Sequence, residues 1–249
     1  MLSYLPGRRS PVNAHFRYAR RMDGMKASEI RELLKLVDQP EVISFAGGIP
    51  DPAVFPVDAA RAAYAKALRR PEAALQYGIS EGYAPLREWI AAEMTRDGVV
   101  ATADNILITA GSQQGLDFLA KALVSPGDAV LTEYPTYLGA CQAFSAYEPS
   151  YDRLRLDGGN RTPGSYLGRA AAAGGAVKAL YLVPDFANPT GLSLGLPERE
   201  AALSLARELD AVVIEDAAYR ALRFSGEDLP SLQALDVAAS GGLEASRVA

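Results

Sequence analysis

Four short apolar runs, Ile106–Thr109, Ala129–Thr132, Ala179–Val183 and Ala211–Glu215, constrain this chain more than any other feature. None alternates apolar with polar residues, as a strand with one wet face would. A continuous apolar run of this length is the pattern of a strand buried on both faces, which is the habit of parallel sheets. Helical stretches lie between the runs: Ser112–Val124, Thr136–Ala146 and Pro197–Leu209, the first followed by the turn Ser125-Pro126-Gly127-Asp128. The alternation predicts an α/β fold of three layers, with helices on both faces of a mostly parallel sheet.

Upstream, Ser28–Val37 has apolar residues at 30, 33, 34 and 37, a helical spacing, and Val42–Phe45 is a short β-prone run. Gly47-Gly48-Ile49-Pro50-Asp51-Pro52 is loop chemistry. Asp58 is expected to cap a helix running to about Arg70. A further helix starts after Gly82, with Pro85 in its first turn and Gly98 past its end. The alanine-rich patches Ala170–Ala176 and Ala238–Gly242 read as a helix end and a loop.

Composition narrows the function classes. A chain that is 49% hydrophobic and 22% charged has a globular core, and a net charge of −5 offers no positive field to nucleic acid or an anionic membrane. The basic cluster Arg8, Arg9, Arg17, Arg20 and Arg21 reads as solvated surface. One cysteine, Cys141, forms no internal disulfide and no Cys-rich metal site. One histidine, His15, leaves a Ser-His-Asp triad resting on a single residue in a polar arm. No apolar run is long enough to span a bilayer and no signal peptide opens the chain, so cytoplasmic location is the default expectation.

Four sites can carry chemistry, each with an ordinary alternative. Thr109-Ala110-Gly111-Ser112-Gln113-Gln114-Gly115 is a glycine turn opening a helix, where free N–H groups and the helix dipole suit a phosphate; Ser112 either binds it or caps the helix. The spacing fits neither a dinucleotide nor a nucleoside-triphosphate glycine fingerprint. Glu133-Tyr134-Pro135-Thr136-Tyr137 follows a strand, and Tyr137 either stacks on a planar ligand or packs at a helix start. Asn188-Pro189-Thr190-Gly191 is turn chemistry that also fixes Asn188 as a donor. Glu215-Asp216-Ala217-Ala218-Tyr219 puts a carboxylate at the end of a buried strand. Asp216 there either pairs with a cation such as a pyridinium N–H or caps a helix.

In order and context the four motifs resemble those of the fold-type I aminotransferases that use pyridoxal 5'-phosphate (PLP), class I/II, within them the 2-aminoadipate/kynurenine-type branch. The stretches that carry the resemblance run from about residue 27 to 230. They are A-S-E-I-R-E-L-L-K-L (27–36), I-S-F-A-G-G-I-P-D-P (43–52), L-Q-Y-G (75–78) and E-G-Y-A-P-L-R (81–87). Further along come I-T-A-G-S-Q-Q-G-L-D (108–117), E-Y-P-T-Y-L-G-A (133–140), N-P-T-G (188–191) and E-D-A-A-Y (215–219). The resemblance implies that Ser112 and Gln113 hold the cofactor phosphate and Tyr137 stacks on the ring. It implies that Asn188 and Tyr219 bond the ring's phenolic oxygen and Asp216 the ring nitrogen. In a homodimer with shared sites, Tyr77 would reach the neighbouring subunit's phosphate. Gly47 and Gly48 would lie beside the substrate carboxylate. Arg31, on the N-terminal helix, is a candidate for a substrate side-chain carboxylate, with a solvated helix arginine as the alternative. The substrates implied are an amino acid and a 2-oxo acid such as 2-oxoglutarate, with no nucleic-acid or membrane partner.

Two departures stand out. Ala187 takes the place where the branch usually has glutamine. The chain's lysines are 26, 35, 66, 121 and 178, so none follows Asp216 where the resemblance expects the Schiff-base lysine. The expectation is a truncated chain, inactive alone. Residues 1–45 would form an arm and helix, and 46–249 an incomplete PLP-binding large domain of the aspartate aminotransferase type, without the small domain. Residues 247–249 would begin the strand leading to the missing segment. Competing readings are a lyase or synthase on the same fold, a non-catalytic regulatory domain, and a nucleotide-binding Rossmann protein.

Overall fold

The computed structural model describes residues 18–23, 48, 50–156 and 158–249. The helix expected at 28–37 and the strand at 42–45 lie outside the described residues. The chain divides into two compact units, one of Met1–Met25, Thr95–Val100 and Thr109–Ala249, the other of Lys26–Met94 and Ala101–Ile108.

The second unit contains helices α1 (Val57–Ala67), α2 (Pro71–Ala74) and most of α3 (Ala84–Arg96). Asp58 does not cap α1: the N-cap is Pro56, which brings no side-chain bond, and Asp58 lies in the first turn, 3.2 Å from Arg61. Buried Arg87 of α3 donates from Nε to the carbonyls of Ala103 (3.0 Å) and Ile106 (2.9 Å). The run Ile106–Thr109, expected as a strand, has no ladder partner among the described residues. Its Ile108 N–H bonds instead to the Glu81 carbonyl at 2.9 Å.

The first unit is built on a sheet. In chain order it runs α4 (Ser112–Leu123), β1 (Ala129–Thr132), α5 (Leu138–Ser145), β2 (Ser150–Arg153), α6 (Pro163–Ala172), β3 (Val177–Leu182), α7 (Leu196–Leu209), β4 (Val212–Glu215) and α8 (Leu232–Ser240). The strands lie in the order β2-β1-β3-β4, all parallel. Beyond β4, Val248 bridges Val213 in parallel, and Ala249 N–H donates to the Val213 carbonyl at 2.9 Å, so residues 247–249 run along the β4 edge. Asp236 of α8, 1% exposed, fastens that segment by accepting from Arg247 N–H (2.7 Å) and the Ser246 hydroxyl (3.0 Å) and by pairing with Arg207.

Successive strand residues face opposite ways and fill two cores. Leu131, Leu180, Leu182 and Val213 pack with α6, α7 and α8; Val130, Ala179, Tyr181 and Ile214 pack with α4 and α5. That is the three-layer arrangement, with both faces apolar, and it explains the unalternated runs. The register slips by one residue at Lys178, since Ala129 pairs with Val177 but Val130 with Ala179. The bulge lets Val177 and Leu180 share one core although three residues apart.

Four elements have no counterpart in the sequence reading, α2, β2, α8 and all of α6 but its alanine-rich end. A third expectation is reversed: Ala238–Ser240 is not loop but the last turn of α8, capped by Gly241 in the left-handed region at φ 87. Ser231 caps its start, accepting from Ala234 N–H at 3.0 Å. No helix of the described residues is long and apolar enough to cross a membrane.

Candidate cofactor site

In a parallel sheet all carboxyl ends lie on one edge, where open α/β folds bind ligands. Strands β1, β3 and β4 each lead into one of the sequence motifs there. Ile214 is paired with Tyr181 across β3 and β4, so Asp216, two residues on, falls on the same face as both. The ladder continues one residue past β4, with Asp216 N–H donating to the Leu182 carbonyl at 2.9 Å. The Tyr181 hydroxyl donates to Asp216 Oδ2 at 2.8 Å. Asp216 is half-buried and caps no helix, and among the described residues its Oδ1 takes no hydrogen bond. Tyr181 is fully buried, and burial first, then the Asp216 carboxylate, pushes its phenol far above the usual tyrosine value.

Asn188 and Tyr219 meet beside this carboxylate's strand: the Asn188 amide donates to the Tyr219 hydroxyl at 3.5 Å. The turn reading of Asn188–Gly191 also holds, since Gly191, at φ 70, donates to the Ala187 carbonyl at 2.6 Å. Tyr137 precedes α5, and its ring and that of Tyr219 pack on the core of α4 and α5. Gly139 makes room for it, because a Cβ there would lie 2.4 Å from the Tyr137 ring. At the start of α4 the N-cap is Gly111 at φ 83, with open space where a Cβ would be. Ser112 is therefore the first helical residue and not the cap, and among the described residues its hydroxyl has no partner. The Gln113 side-chain amide donates to the Gly139 carbonyl at 2.8 Å, tying α4 to the first turn of α5. The free N–H groups of that first turn give an anion a place to bind. Glu133, past β1, has its carboxyl pushed up by burial.

Ser112, Gln113, Tyr137, Asn188, Asp216 and Tyr219 thus share the carboxyl edge of one sheet, in one unit. Tyr77 is fully exposed and belongs to the other unit. Gly48 is exposed, and Gly47 and Arg31 lie outside the described residues.

Sequence reasoning missed several supports of this edge. Tyr181 is one. A tyrosine in a fully buried aliphatic strand needs a partner for its hydroxyl, and that signal was present in A-L-Y-L-V. Asp185, three residues before Asn188 and 2% exposed, accepts at Oδ1 from both Arg199 and Arg223, each at 2.8 Å. Arg199, 0% exposed, also donates to the carbonyls of Leu194, Pro230 and Pro184. Arg223 stacks over Phe186 at 4.8 Å. Glu215 accepts from the N–H groups of Leu232 and Gln233, both at 2.9 Å, so it crowns the start of α8. Its pKa is raised, burial outweighing those bonds.

The family model for aminotransferase class I and II matches residues 40–242. The chain is 41% identical over 218 residues to aromatic-amino-acid aminotransferase 1 of Thermococcus litoralis, covering 86% of this chain and 52% of that protein. It is 43% identical over 209 residues to 2-aminoadipate transaminase of Thermus thermophilus, covering 84% and 51%. The chain spans about half the length of the curated relatives it matches. Among solved structures, α-aminoadipate aminotransferase LysN from Thermus thermophilus, complexed with N-(5'-phosphopyridoxyl)-L-leucine, aligns with TM-score 0.75 and 38% identity over 93% of this chain and 56% of that one. Kynurenine aminotransferase of Pyrococcus horikoshii aligns with TM-score 0.78 and 38% identity over the same shares. With its parallel sheet, its site edge and a family match over most of its length, the chain belongs to the class I and II aminotransferases, whose cofactor is pyridoxal 5'-phosphate.

Proposed function

We propose that the full protein is an aminotransferase moving an amino group between an amino acid and a 2-oxo acid, with 2-oxoglutarate as acceptor. The observation that carries the reading is the donor set at one sheet edge: an open helix start at Gly111–Ser112, the Tyr137 ring, the Asn188–Tyr219 pair and the Asp216 carboxylate. These are the groups a phosphorylated pyridinium needs, and the residues fit PLP. Bound there, PLP supplies an electron sink for the charge left when the substrate gives up its Cα proton.

The chain's own residues hold and tune. Ser112 and the N–H groups of its helix turn, that of Gln113 included, bind the phosphate. Tyr137 covers the ring face and keeps water from it. Asn188 and Tyr219 bond the phenolic oxygen, and the Asp216 carboxylate accepts from the ring nitrogen and keeps its proton there. Gly47 and Gly48 admit the substrate carboxylate, and Arg31 reads a side-chain carboxylate. No lysine follows Asp216 in these 249 residues, so no residue here is assigned the task of moving the Cα proton. The division into an arm (1–45) and a PLP-binding domain (46–249), a homodimer in which exposed Tyr77 reaches the partner's phosphate, and a cytoplasmic location belong to the same proposal.

The test uses the full protein its gene encodes, incubated with 2-oxoglutarate and 2-aminoadipate, kynurenine or an aromatic amino acid as donor. These donors are the ones the relatives' names suggest. Glutamate formation with at least one of them is expected. No amino transfer to any common 2-oxo acid would overturn the reading.

A further inference from the structure

We propose that Tyr181 is a positioning residue for the cofactor, holding Asp216 by one carboxylate oxygen so that the other is the acceptor for the ring nitrogen. The inference rests on the cofactor reading above and adds a residue to it. Its basis is the register of β3 and β4. Tyr181 lies opposite Ile214, and the period of two brings Asp216 to the same face one step further along. The Tyr181 hydroxyl reaches Oδ2 at 2.8 Å, and among the described residues nothing bonds Oδ1.

A carboxylate at the end of an aspartate side chain turns freely, because its terminal torsion is broad and two-fold. One charge-assisted hydrogen bond from a rigid donor removes that freedom. Tyr181 is such a donor. It is 0% exposed, wedged edge-on against Phe144 at 5.6 Å between ring centres, and built into the middle of the sheet. Burial and the neighbouring carboxylate keep its proton in place, so it stays a donor and never competes for the ring nitrogen's proton. The plain alternative is that Asp216 merely satisfies a buried hydroxyl. On that view the bond serves the core and not the ligand.

The experiment compares full-length wild type with Tyr181→Phe, Asp216→Asn and the double variant. PLP affinity is read by absorbance titration of the cofactor-free protein, beside the bound cofactor's spectrum, the thermal midpoint and the kinetic constants. Tyr181→Phe should weaken PLP binding about tenfold and shift the spectrum, lowering kcat while the KM for the amino donor holds. In the Asp216→Asn background it should add nothing, because the two residues act as one unit. A Tyr181→Phe protein altered only in its thermal midpoint, or one whose effect on PLP affinity persists unchanged in the Asp216→Asn background, overturns the proposal. If Asp216→Asn leaves PLP affinity and spectrum unchanged, the cofactor reading fails, and this proposal with it. If Asp216→Asn acts and Tyr181→Phe does not, only this proposal fails. Should Tyr181→Phe not fold, wild type labelled at tyrosine Cζ gives a second reading. A slowly exchanging Tyr181 hydroxyl proton that shifts on PLP binding supports the proposal, and one insensitive to PLP overturns it.

Discussion

Asp185 sits in the protein interior with two arginines on a single oxygen and none on the other: its Oδ2 is buried without a partner among the described residues. Removing one member of a buried charged cluster leaves the others uncompensated, a loss of about 3–5 kcal/mol. Arg199→Ala should therefore lower stability by that order, read as a drop in thermal midpoint. Arg199→Lys keeps the charge without the guanidinium fork, so it should lose less than Arg199→Ala if the ion pair with Asp185 dominates, and about as much if the carbonyl bonds to Leu194, Pro230 and Pro184 do. Asp216→Asn belongs to the same scale and a different quantity. Hydrogen bonds to charged groups contribute about 1.5–3 kcal/mol, so kcat of the full protein should fall roughly ten- to hundred-fold while the fold survives. An unchanged turnover number would contradict the role given to Asp216. Neither Arg199 nor Asp185 was legible as a site support. In P-E-R-E an arginine reads as solvated helix surface, and only the tertiary fold brings a carboxylate 14 residues upstream against it.

At the scale of elements, the start of α8 is set by Ser231 from its own segment and by Glu215 from β4. Burial raises the Glu215 pKa above its ordinary 4.5, so the folded state holds its proton to a higher pH than the unfolded chain does. The native state then binds more protons in the interval above 4.5, and stability falls as pH rises through it. Glu215→Gln cannot titrate. Its thermal midpoint relative to wild type should improve as pH climbs through that interval, and a constant difference would refute the sign. Gly139→Ala tests the α5 start. A methyl 2.4 Å from the Tyr137 ring must push the ring aside, so PLP affinity, read by absorbance titration, should drop. Elements such as these were partly readable. The strands of the sheet centre matched their apolar runs within two residues, because burial on both faces writes itself directly into composition. β2 escaped notice since Ser150–Arg153 is an edge strand with alternate residues exposed. The signal for α6 was present in Thr162-Pro163, a cap followed by proline at the first helical position, with Thr162 accepting from Ser165 N–H. The low-complexity patch Ala238–Gly242 has the composition of a loop, yet its Gly241 is the stop of a helix. Ile106–Thr109 had the apolar content of a strand, but content does not supply a neighbour to pair with.

At the scale of the whole molecule, the site residues come from separate loops that are far apart in sequence, and one sheet edge collects them. Expressed as these 249 residues alone, the chain offers PLP contacts but no lysine after Asp216. It should show no turnover with any donor and 2-oxo acid, and measurable turnover would show that another group moves the proton. Which residues converge was legible in the order of the motifs; how they are braced was not, because Tyr181, Asp185 and Glu215 act across strands and helices that only folding brings together. The bulge at Lys178 carries a consequence for how such a chain tolerates insertions and deletions. Lys178 is one residue more than the ladder needs, since Val177 and Ala179 take the consecutive partners Ala129 and Val130. Deleting one residue in a loop such as 158–160 shortens a connection. Deleting Lys178 would restore plain alternation, with Val177, Leu180 and Leu182 on one core and Ala179, Tyr181 and Val183 on the other, whereas deleting a residue from Ala179 to Leu182 would force part of the strand to turn toward the wrong core or to slide against β1 and β4. Among related chains, gaps should therefore gather in the connections and, within this strand, fall only at the bulge, because past it length is read as direction.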